Sequence, residues 1–430
     1  MTEATQPRMA RGTKLPLAVL AAALFALLAF APLASATPDP VQSGTTTVTL
    51  NKGWTNYLKT FGIKIQKVGN AKVSAKKATF KVSGGSMDPT NGLGTLTLSG
   101  GLKFKAGKKS TTMKGLVLDT GKSVLTGKVS GKKVKFAKLK GLSYSRNGFG
   151  VNVKLKSLKL EKAGAKQLNK KLGYAKGKPK PFLAGKNIGK SSSESQPATV
   201  AIIPGGNVSF AANQELLLKL KDVETNASVI APSTEKGLGN YELPIVGGTI
   251  SPTATAGQVQ TAGGLLLTQK LPTSPTTALE TEITLGNMWL DLSARTVTVE
   301  VVAKSNASTA LNLGNLGRSS IADLTVTGVF ADPATRKVSV SSSAVLQPIS
   351  AEVLEGFVKV YQAYYEAGFY AEFCKLAAPN KCNSADPNEK AAEEAAGKKA
   401  AKEAAEKRVE KDHISAGNPL GTFAFTAQTQ

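Results

Sequence analysis

The sequence predicts a mainly β protein, built as two tandem antiparallel β-sandwich domains with short helices and followed by a charged C-terminal α-helix. Apolar and polar residues alternate over much of residues 73–160, as in strands that cover a core with one face only. Residues 80–104 align without a gap on residues 243–267, with eight identical positions that include two glycine pairs. With 42 glycines, 20 prolines and 6% aromatic residues, the composition favours short strands and many turns over a helical bundle.

Residues 1–36 have the pattern of a secretory signal peptide. Three basic residues precede an apolar stretch, and Ala-Ser-Ala at residues 34–36 provides the small residues found before a cleavage point. An uncleaved membrane anchor is the alternative, but the apolar run is shorter than the about 20 residues that a spanning helix needs. We therefore expect an exported mature chain without a transmembrane span, secreted or associated with the cell surface.

The first β domain is expected over residues 41–174. A β-branched strand at residues 45–50 leads into a short helix, which Asn51 caps and Gly62 ends. Strands with glycine-containing turns follow up to residue 160, and the sequence "KAGAKQLNKKLG" predicts a closing helix. Copy one should therefore be a sheet protein with one helix near each end.

A second copy of this unit, including its closing helix, is expected over residues 200–373. Residues 175–199 are rich in Lys, Pro and Ser and predict a linker between the copies. A second alignment places residues 157–168 on 343–354 with an offset of 186, against 163 for the glycine-paired segment. A tandem duplication with later divergence explains both alignments. Because the second copy lacks the lysines of the first, the fold itself does not need them.

Residues 374–430 are expected to hold a disulfide loop, a charged helix and a tail. Cys374 and Cys382 are the only cysteines, and in an oxidising compartment a local disulfide between them is expected. A metal or redox pair would call for C-x-x-C spacing or nearby histidines, which the sequence lacks. Asp386 and Pro387 begin an Ala-rich helix with little apolar face, which predicts a solvated extension, and "PLGTFAFTAQ" favours one final strand.

The positive charge is concentrated in the first domain. The chain has a net charge of +26, and residues 41–190 contain 33 lysines and arginines against three acids. Strand alternation places several of these lysines on solvent faces, and we predict that they bind polyanions: Lys103, Lys105, Lys133, Lys135, Lys154 and Lys156. Anionic envelope polymers, acidic lipid headgroups or haem propionates are expected partners rather than a specific nucleic acid, because base readers favour Arg and stacking aromatics. The alternative is that these faces only keep the sheets soluble.

The order of elements in copy one is similar to a known family. The "GWTNYL" helix, the "GG" and "GGLKF" segment and the strands through "LVLD" and "VLTGKV" resemble the HtaA-type domain of secreted and surface haem-binding proteins of actinobacteria. The similarity covers about 130 residues of copy one and, in degenerate form, copy two. It implies a β-sandwich that serves iron acquisition, with a helix tyrosine that binds ferric haem and a histidine that supports this tyrosine.

Carried over to this sequence, the resemblance makes Tyr57 the ligand of haem iron, with Trp54 beside it. A phenolate is a hard donor suited to ferric iron, but a phenol titrates near pH 10, so the anion needs a favourable neighbour. Lys108 or Lys109 stands where the family has its histidine, whereas the one histidine, His413, lies in the C-terminal region. Tyr57 also shares helical spacing with core candidates, so an ordinary core aromatic is the alternative.

An enzyme is not expected. With one histidine there is no Ser-His-Asp or Cys-His arrangement, and no histidine-based metal site. The glycine pairs are typical of β-turns, since no helix with Lys-Ser/Thr follows them. We predict an exported, non-catalytic protein that binds or relays haem at the cell surface. The alternative is a cell-envelope binding or structural module that holds anionic polymers through the lysine face.

Overall fold

The computed structural model describes residues 38–174, 179–376 and 386–430. The predicted signal peptide, residues 1–36, lies outside the described residues. The mainly β fold with two antiparallel sheets and a C-terminal helix is confirmed. Among the residues that the structure describes, no helix is both long and apolar enough to cross a bilayer.

The first sheet contains ten strands and is closed by two helices. Its elements follow in chain order: β1 (Asp39–Leu50), α1 (Lys52–Thr60), β2 (Ile63–Val68), β3 (Lys72–Val73), β4 (Lys77–Met87), β5 (Gly94–Ala106), β6 (Lys109–Asp119), β7 (Val124–Val129), β8 (Lys132–Asn147), β9 (Gly150–Leu160), α2 (Lys162–Leu172) and β10 (Asn187–Pro197). The strand order is β2-β5-β6-β7-β8-β9-β10-β1-β4-β3, and an additional β4–β5 pairing closes eight of these strands into a ring. We call this unit the first barrel.

The second sheet contains twelve strands. Its elements are β11 (Val200–Ala201), β12 (Asn207–Ala212), α3 (Gln214–Asp222), β13 (Thr225–Ile230), β14 (Thr234–Gly237), β15 (Asn240–Ile250), β16 (Gly257–Thr261), β17 (Gly264–Pro272), β18 (Ala278–Asp291), β19 (Thr296–Ser305), β20 (Gly314–Asp332), β21 (Lys337–Leu346), α4 (Pro348–Leu376), α5 (Pro387–Val409) and β22 (Pro419–Gln428). Pairing of β16 with both β15 and β18 closes this sheet as well. We call it the second barrel.

Two predicted boundaries need correction. The predicted linker, 175–199, contains β10, which pairs with β1 on one side and β9 on the other and thus completes the first barrel. The alternating small residues "SSSES" of this strand fit a position between two strands, although their Lys-, Pro- and Ser-rich flanks predict a linker. The predicted tail likewise contains β22, which lies between β12 and β21, so the second barrel extends almost to residue 430.

The charged helix α5 is not the solvated extension that its composition predicts. It packs against α4 through small residues, of which Gly397, Ala401 and Ala405 are buried. A Cβ atom on Gly397 would lie 2.8 Å from the Phe373 ring, so the glycine allows close approach of the two helices. A contact made by small side chains leaves no apolar stripe of large residues in the sequence, which is why the pattern missed it.

The two barrels have the same strand order. Each ring runs from its first strand (β1 or β12) through β4 or β15, then through five strand positions that end at β9 or β21, and back through β10 or β22. β16 and β17 together occupy the place of β5: the first part pairs with β15 and the second with β13, as β5 pairs with β4 and β2. The duplication itself, a statement about ancestry, stays a prediction.

The repeated glycine pairs have a steric cause in both barrels. A Cβ atom on Gly101 or Gly264 would lie 2.0 Å from a backbone carbonyl oxygen of the neighbouring strand. The preceding glycines of these pairs have φ values of +89° and +79°, which side chains rarely adopt. Glycine is therefore required where the long strand leaves one partner and joins the next.

The two barrels contact each other near the β8–β9 turn. Phe149 belongs to the hydrophobic core of the second barrel, and the Arg146 guanidinium donates from Nη2 to the backbone oxygen of Gln430. Asp39, at the start of β1, is 5% exposed. Burial raises the pKa of Asp39 to about 6, although the Arg146 charge and the Ala201 N–H group lower it. The junction thus holds a buried ionisable pair.

Candidate ligand-binding groove on the first barrel

Helix α1 places Tyr57 at the surface. Asn51 caps the helix, since its Oδ1 accepts a hydrogen bond of 2.9 Å from the Trp54 N–H group. The Tyr57 side chain is 38% exposed, and its hydroxyl donates to the backbone oxygen of Lys180 at 3.2 Å. Its ring packs edge-to-face on Phe61 with centroids 5.2 Å apart. A ligand approaching from solvent therefore meets the hydroxyl and not only the ring.

Trp54 takes a different role from the one expected. Its side chain is 6% exposed and lies in the core of the first barrel, against residues such as Leu58 and Phe104. Trp54 lies three residues before Tyr57, about 60° away around the helix axis, so one ring can enter the core while the other lies at its rim. We therefore correct the predicted cofactor contact of Trp54 to a core position.

A groove of about 590 Å³ lies next to Tyr57, between α2 and residues 179–184. Lys180, whose backbone oxygen accepts the Tyr57 hydroxyl, lines this groove, and so does Tyr174, whose ring lies 5.8 Å from that of Phe61. The apolar part of the lining consists of Ala165, Phe182 and Leu183 with the aliphatic parts of their neighbours. Tyr57 thus lies at the edge of an open depression.

The groove is cationic. Lysines on its walls come from α2 and from the segment opposite it: Lys162, Lys166, Lys170 and Lys180. Among the described residues that line it, no acidic side chain opposes these charges. These four lysines are not among the predicted site residues, although the i, i+4, i+8 spacing of the three helix lysines indicates one charged helix face.

A buried amide fixes the floor of the groove. The Asn169 side chain donates to the backbone oxygen of Phe182 at 2.8 Å and accepts from its N–H group at 3.2 Å. The Phe182 ring, 1% exposed, packs edge-to-face on Phe104 with centroids 5.4 Å apart. The segment opposite α2 is therefore held by both its backbone and its side chain, so the groove is preformed.

Of the two lysines in the turn before β6, only Lys109 comes to the groove. A Cβ atom on Gly173, which lines the groove, would lie 2.3 Å from Lys109 Nζ. Lys108 is exposed in the same turn and has no contact with the groove lining in the described part of the chain. Lys109 is thus the residue whose ammonium group lies in the region of Tyr174 and the end of α2.

The one histidine is far from this groove in the fold. His413 Nδ1 lies 2.6 Å from Glu355 Oε1, and the other oxygen of Glu355 accepts from the Ile414 N–H group at 2.7 Å. This pairing ties the chain after α5 to α4 of the second barrel. No histidine therefore reaches Tyr57, and any charge support for that hydroxyl has to come from lysine.

The predicted lysine face is exposed, but not as one patch. Lys105, Lys133, Lys135, Lys154 and Lys156 are exposed and Lys103 is half-buried, each with at least one buried neighbour on its strand. β8 and β9 are adjacent, whereas β6 and β7 separate β5 from β8. The six lysines are therefore spread around the barrel and do not form one face.

Lysines face each other directly across several strand pairs. Lys128 on β7 lies opposite Lys114 on β6 and Lys133 on β8. Lys64 faces Lys105 and Lys138 faces Lys159 in the same way. Like charges at directly opposed positions destabilise a sheet. In the described residues of this barrel only one ion pair, Lys122–Asp119 at 3.9 Å, offsets the positive charge.

Only one of the two cysteines lies in the part of the chain that the structure describes. Cys374 lies near the end of α4, and Cys382 lies outside the described residues, so the disulfide stays a prediction. Within the described ranges, no three His, Cys, Asp or Glu side chains come together as ligands for a metal ion.

No family model and no curated protein matches the sequence. Among solved structures, the chain is similar to the C-terminal domain of HtaA from Corynebacterium glutamicum, at 12% identity and a TM-score of 0.28 over 36% of this chain and 98% of that domain. A domain-swapped dimer of a variant of the same domain matches at 13% identity and a TM-score of 0.24, over 33% of this chain and 78% of the other. These similarities are distant.

Proposed function

We propose that the first barrel binds ferric haem in the groove beside Tyr57, and that the protein holds or relays haem as an exported, non-catalytic binding protein. The observation that carries the proposal is the exposed Tyr57 hydroxyl at the edge of a groove that is apolar at its floor and cationic on its walls. Haem is a flat apolar ring with two carboxylates and a metal, so it needs those three kinds of contact.

The residues present fit such a ligand in separate ways. Leu183 and Ala184 offer apolar surface for the ring above the buried Phe182, and Lys166 and Lys170 offer cations for its carboxylates. When bound, ferric haem supplies a metal that accepts a phenolate oxygen, a hard anionic donor. The Tyr57 hydroxyl would give up its hydrogen bond to the backbone oxygen of Lys180, and Lys109, whose Nζ lies beside Gly173 of the groove, would add a further cation to the bound state.

The test is a titration of the full mature chain with ferric haem, followed by absorption spectroscopy. We expect a tyrosinate-to-iron charge-transfer band in the wild type and its loss in Tyr57→Phe, with an affinity at least tenfold lower. Tyr57→Phe keeps the ring on Phe61 and removes only the hydroxyl. Tyr144→Phe is the matched control, because Tyr144 is 46% exposed in the same barrel and also donates its hydroxyl to a backbone oxygen.

Unchanged spectra and affinity in Tyr57→Phe would contradict the ligand assignment. A loss in both tyrosine variants would show that surface phenols in general, and not this groove, interact with the added haem. The charge contacts are tested by Lys166→Gln combined with Lys170→Gln, for which we expect weaker binding and a smaller dependence on salt.

A second function is favoured by the directly opposed lysines. Lys114, Lys128 and Lys133 lie opposite each other across three strands, which destabilises the sheet but produces a high density of positive charge. An anionic envelope polymer would neutralise this charge. On this proposal the protein is a cell-envelope binding or structural module. Retention on immobilised heparin should fall when these three lysines are changed to Gln. It should not fall when Lys236, Lys270 and Lys304 of the second barrel are changed in the same way.

A further inference from the structure

The second barrel encloses a larger apolar cavity than the first. Its volume is about 110 Å³, against about 30 Å³ for the equivalent space inside the first barrel. The buried part of its wall is formed by side chains of the helix α3 and the surrounding strands, among them Leu216, Leu220, Leu267 and Ile283. Protein interiors are normally close-packed, so a space of this size inside a sheet with an otherwise complete core calls for a cause.

One cause is a substitution between equivalent helices. Asn213 caps α3 as Asn51 caps α1, since its Oδ1 accepts from the Leu216 N–H group at 2.9 Å. Leu216 is therefore the counterpart of Trp54, and both side chains point into their barrels. The indole of Trp54 fills the first barrel, whereas the smaller Leu216 leaves the second barrel partly empty.

The cavity opens to the surface along apolar side chains. Its lining passes from buried residues to Leu316 and Ile349, which are 42% and 60% exposed. Exposed large aliphatic side chains at the mouth of an apolar cavity are unfavourable in water, and a ligand of hydrocarbon character would cover them.

A groove continues from this mouth along α4. Its volume is about 420 Å³, and it shares Ile349 and Val353 with the cavity. The groove is lined mainly by aliphatic residues, with Lys359 and Glu352 as its charged side chains. Cavity and groove share part of their wall, so an apolar lining extends from the barrel interior to a groove that carries Lys359 and Glu352.

One polar group in the cavity lining has no partner. The Ser320 hydroxyl is buried and makes no hydrogen bond with the described residues. A buried hydroxyl without a partner is unfavourable, and a hydrocarbon chain would not satisfy it. The rest of the cavity wall is almost wholly apolar, which favours a ligand that is mostly hydrocarbon over water.

We propose that the second barrel binds a single-chain amphiphile, with its unbranched hydrocarbon chain in the cavity and groove and its anionic head near Lys359. An unbranched chain fits because the space is narrow and its lining is apolar from Leu216 to Val353. A rigid ring system of the size of haem does not fit a space of about 110 Å³. This site belongs to the second barrel and is independent of the function proposed for the first.

The test uses the full mature chain and dodecanoate, with isothermal titration calorimetry as the measurement. We expect saturable binding with one site per chain in the wild type and at least a tenfold loss of affinity in Leu216→Trp, which restores the indole of the first barrel. Leu218→Trp is the matched control, since Leu218 is 59% exposed on the same helix and does not line the cavity. This control should bind like the wild type.

The reciprocal change keeps the proposal testable if Leu216→Trp does not fold. Trp54→Leu should open a cavity in the first barrel, so we expect the number of dodecanoate sites to rise from one to two. The head group is tested by Lys359→Gln, which should weaken dodecanoate several-fold and leave dodecan-1-ol unaffected. Absence of saturable binding in the wild type, or equal affinity of wild type and Leu216→Trp, would overturn the proposal.

Discussion

The first and second barrels share a strand order but differ in the charge pairing on their surfaces and in the packing of their interiors. In the second barrel, charged residues on adjacent strands face partners of opposite sign: Lys270 lies opposite Glu280, with an ion pair of 2.6 Å, and Glu300 lies opposite Arg318 at 3.0 Å. In the first barrel, lysine faces lysine. The second barrel shows that the fold can have a balanced surface, so the positive surface of the first is not a requirement of the sheet.

The interiors of the two barrels differ in how completely they are filled. The first barrel is filled by Trp54 and carries its candidate site on the outside, at Tyr57. The second barrel has Leu216 in place of the indole and Lys219 in place of Tyr57, so it has lost the surface phenol and gained an internal cavity. Lys219 is engaged elsewhere, since its Nζ lies 3.1 Å from the His413 backbone oxygen. The comparison teaches that the side-chain volume at one helix position changes how completely such a barrel is filled.

The largest expected effect comes from emptying the filled barrel. Trp54→Ala should lower the free energy of unfolding of the first barrel by about 4 kcal/mol, because a large buried ring is lost and the space cannot fully collapse. Leu216→Ala should cost only about 2 kcal/mol, at the low end for a buried leucine, because it enlarges a space that already exists. Urea denaturation followed by circular dichroism measures both.

Trp289 provides the internal control for that experiment. It is the one tryptophan of the second barrel and lies under the Arg318 guanidinium, 3.7 Å from its ring centre. Its fluorescence transition should not move in Trp54→Ala. Equal costs for the two alanine variants would contradict the difference in packing between the barrels.

An intermediate effect is expected from pH at the junction of the barrels. The pKa of Asp39 is raised by burial from 3.8 to about 6, so the folded state holds a proton that the unfolded state releases between these values. Stability from this group is therefore lost as pH rises from about 4 to about 6 and stays constant above, by an amount of up to about 3 kcal/mol.

Asp39→Asn removes the pH dependence of stability that comes from this carboxyl group. The second barrel has no such group at the corresponding position, where the buried Val200 lies opposite Ile250 as Asp39 lies opposite Met87. Relative to the wild type, the Asn variant should gain stability between pH 4 and pH 7. Thermal unfolding at both pH values measures the gain. A constant difference between the two proteins would show that Asp39 does not titrate in this range.

The smallest effect concerns the opposed lysines. Lys128→Glu places an acid between Lys114 and Lys133 and should raise the free energy of unfolding by about 0.5–1 kcal/mol at low salt. Glu282→Lys in the second barrel, where Glu282 lies opposite Lys304, should have the reverse sign. Both effects should shrink in 1 M salt, where the screening length is about 3 Å. Urea denaturation of both variants at low and high salt measures these changes. If Lys128→Glu and Glu282→Lys changed the free energy of unfolding in the same direction, charge pairing would not be the cause.

Much of the fold could be predicted from local patterns. Strand alternation, the Asn51 cap and the glycine pairs follow from period-two burial, from helix-end hydrogen bonding and from backbone crowding, all of which act between near neighbours or repeat visibly. The pattern failed for β10 and for α5. A strand flanked by linker-like residues and a helix that packs through glycine and alanine carry no strong local signal, because their partners are far away in the chain.

The candidate site was predicted in part for the same reason. Tyr57 could be named because it lies in a recognisable helix motif, and its role as a ligand stays a prediction. Lys180 and the groove were missed because residues 123 positions apart meet only through the fold, as the Tyr57–Lys180 hydrogen bond shows. Trp54 was misassigned because helical spacing does not say which side of a short helix faces the core.

The sequence by itself determined the chemistry that this protein has at hand: a strongly basic first half, one phenol in the first short helix and one histidine in the chain. Tertiary structure alone decided where that chemistry lies. Closing a sheet into a barrel divides every strand into an inner and an outer face, so the same helix position becomes a filled core with Trp54 and an open cavity with Leu216. The volume of each side chain follows from the sequence, but the space inside a barrel that the side chains fill exists only after the strands have paired.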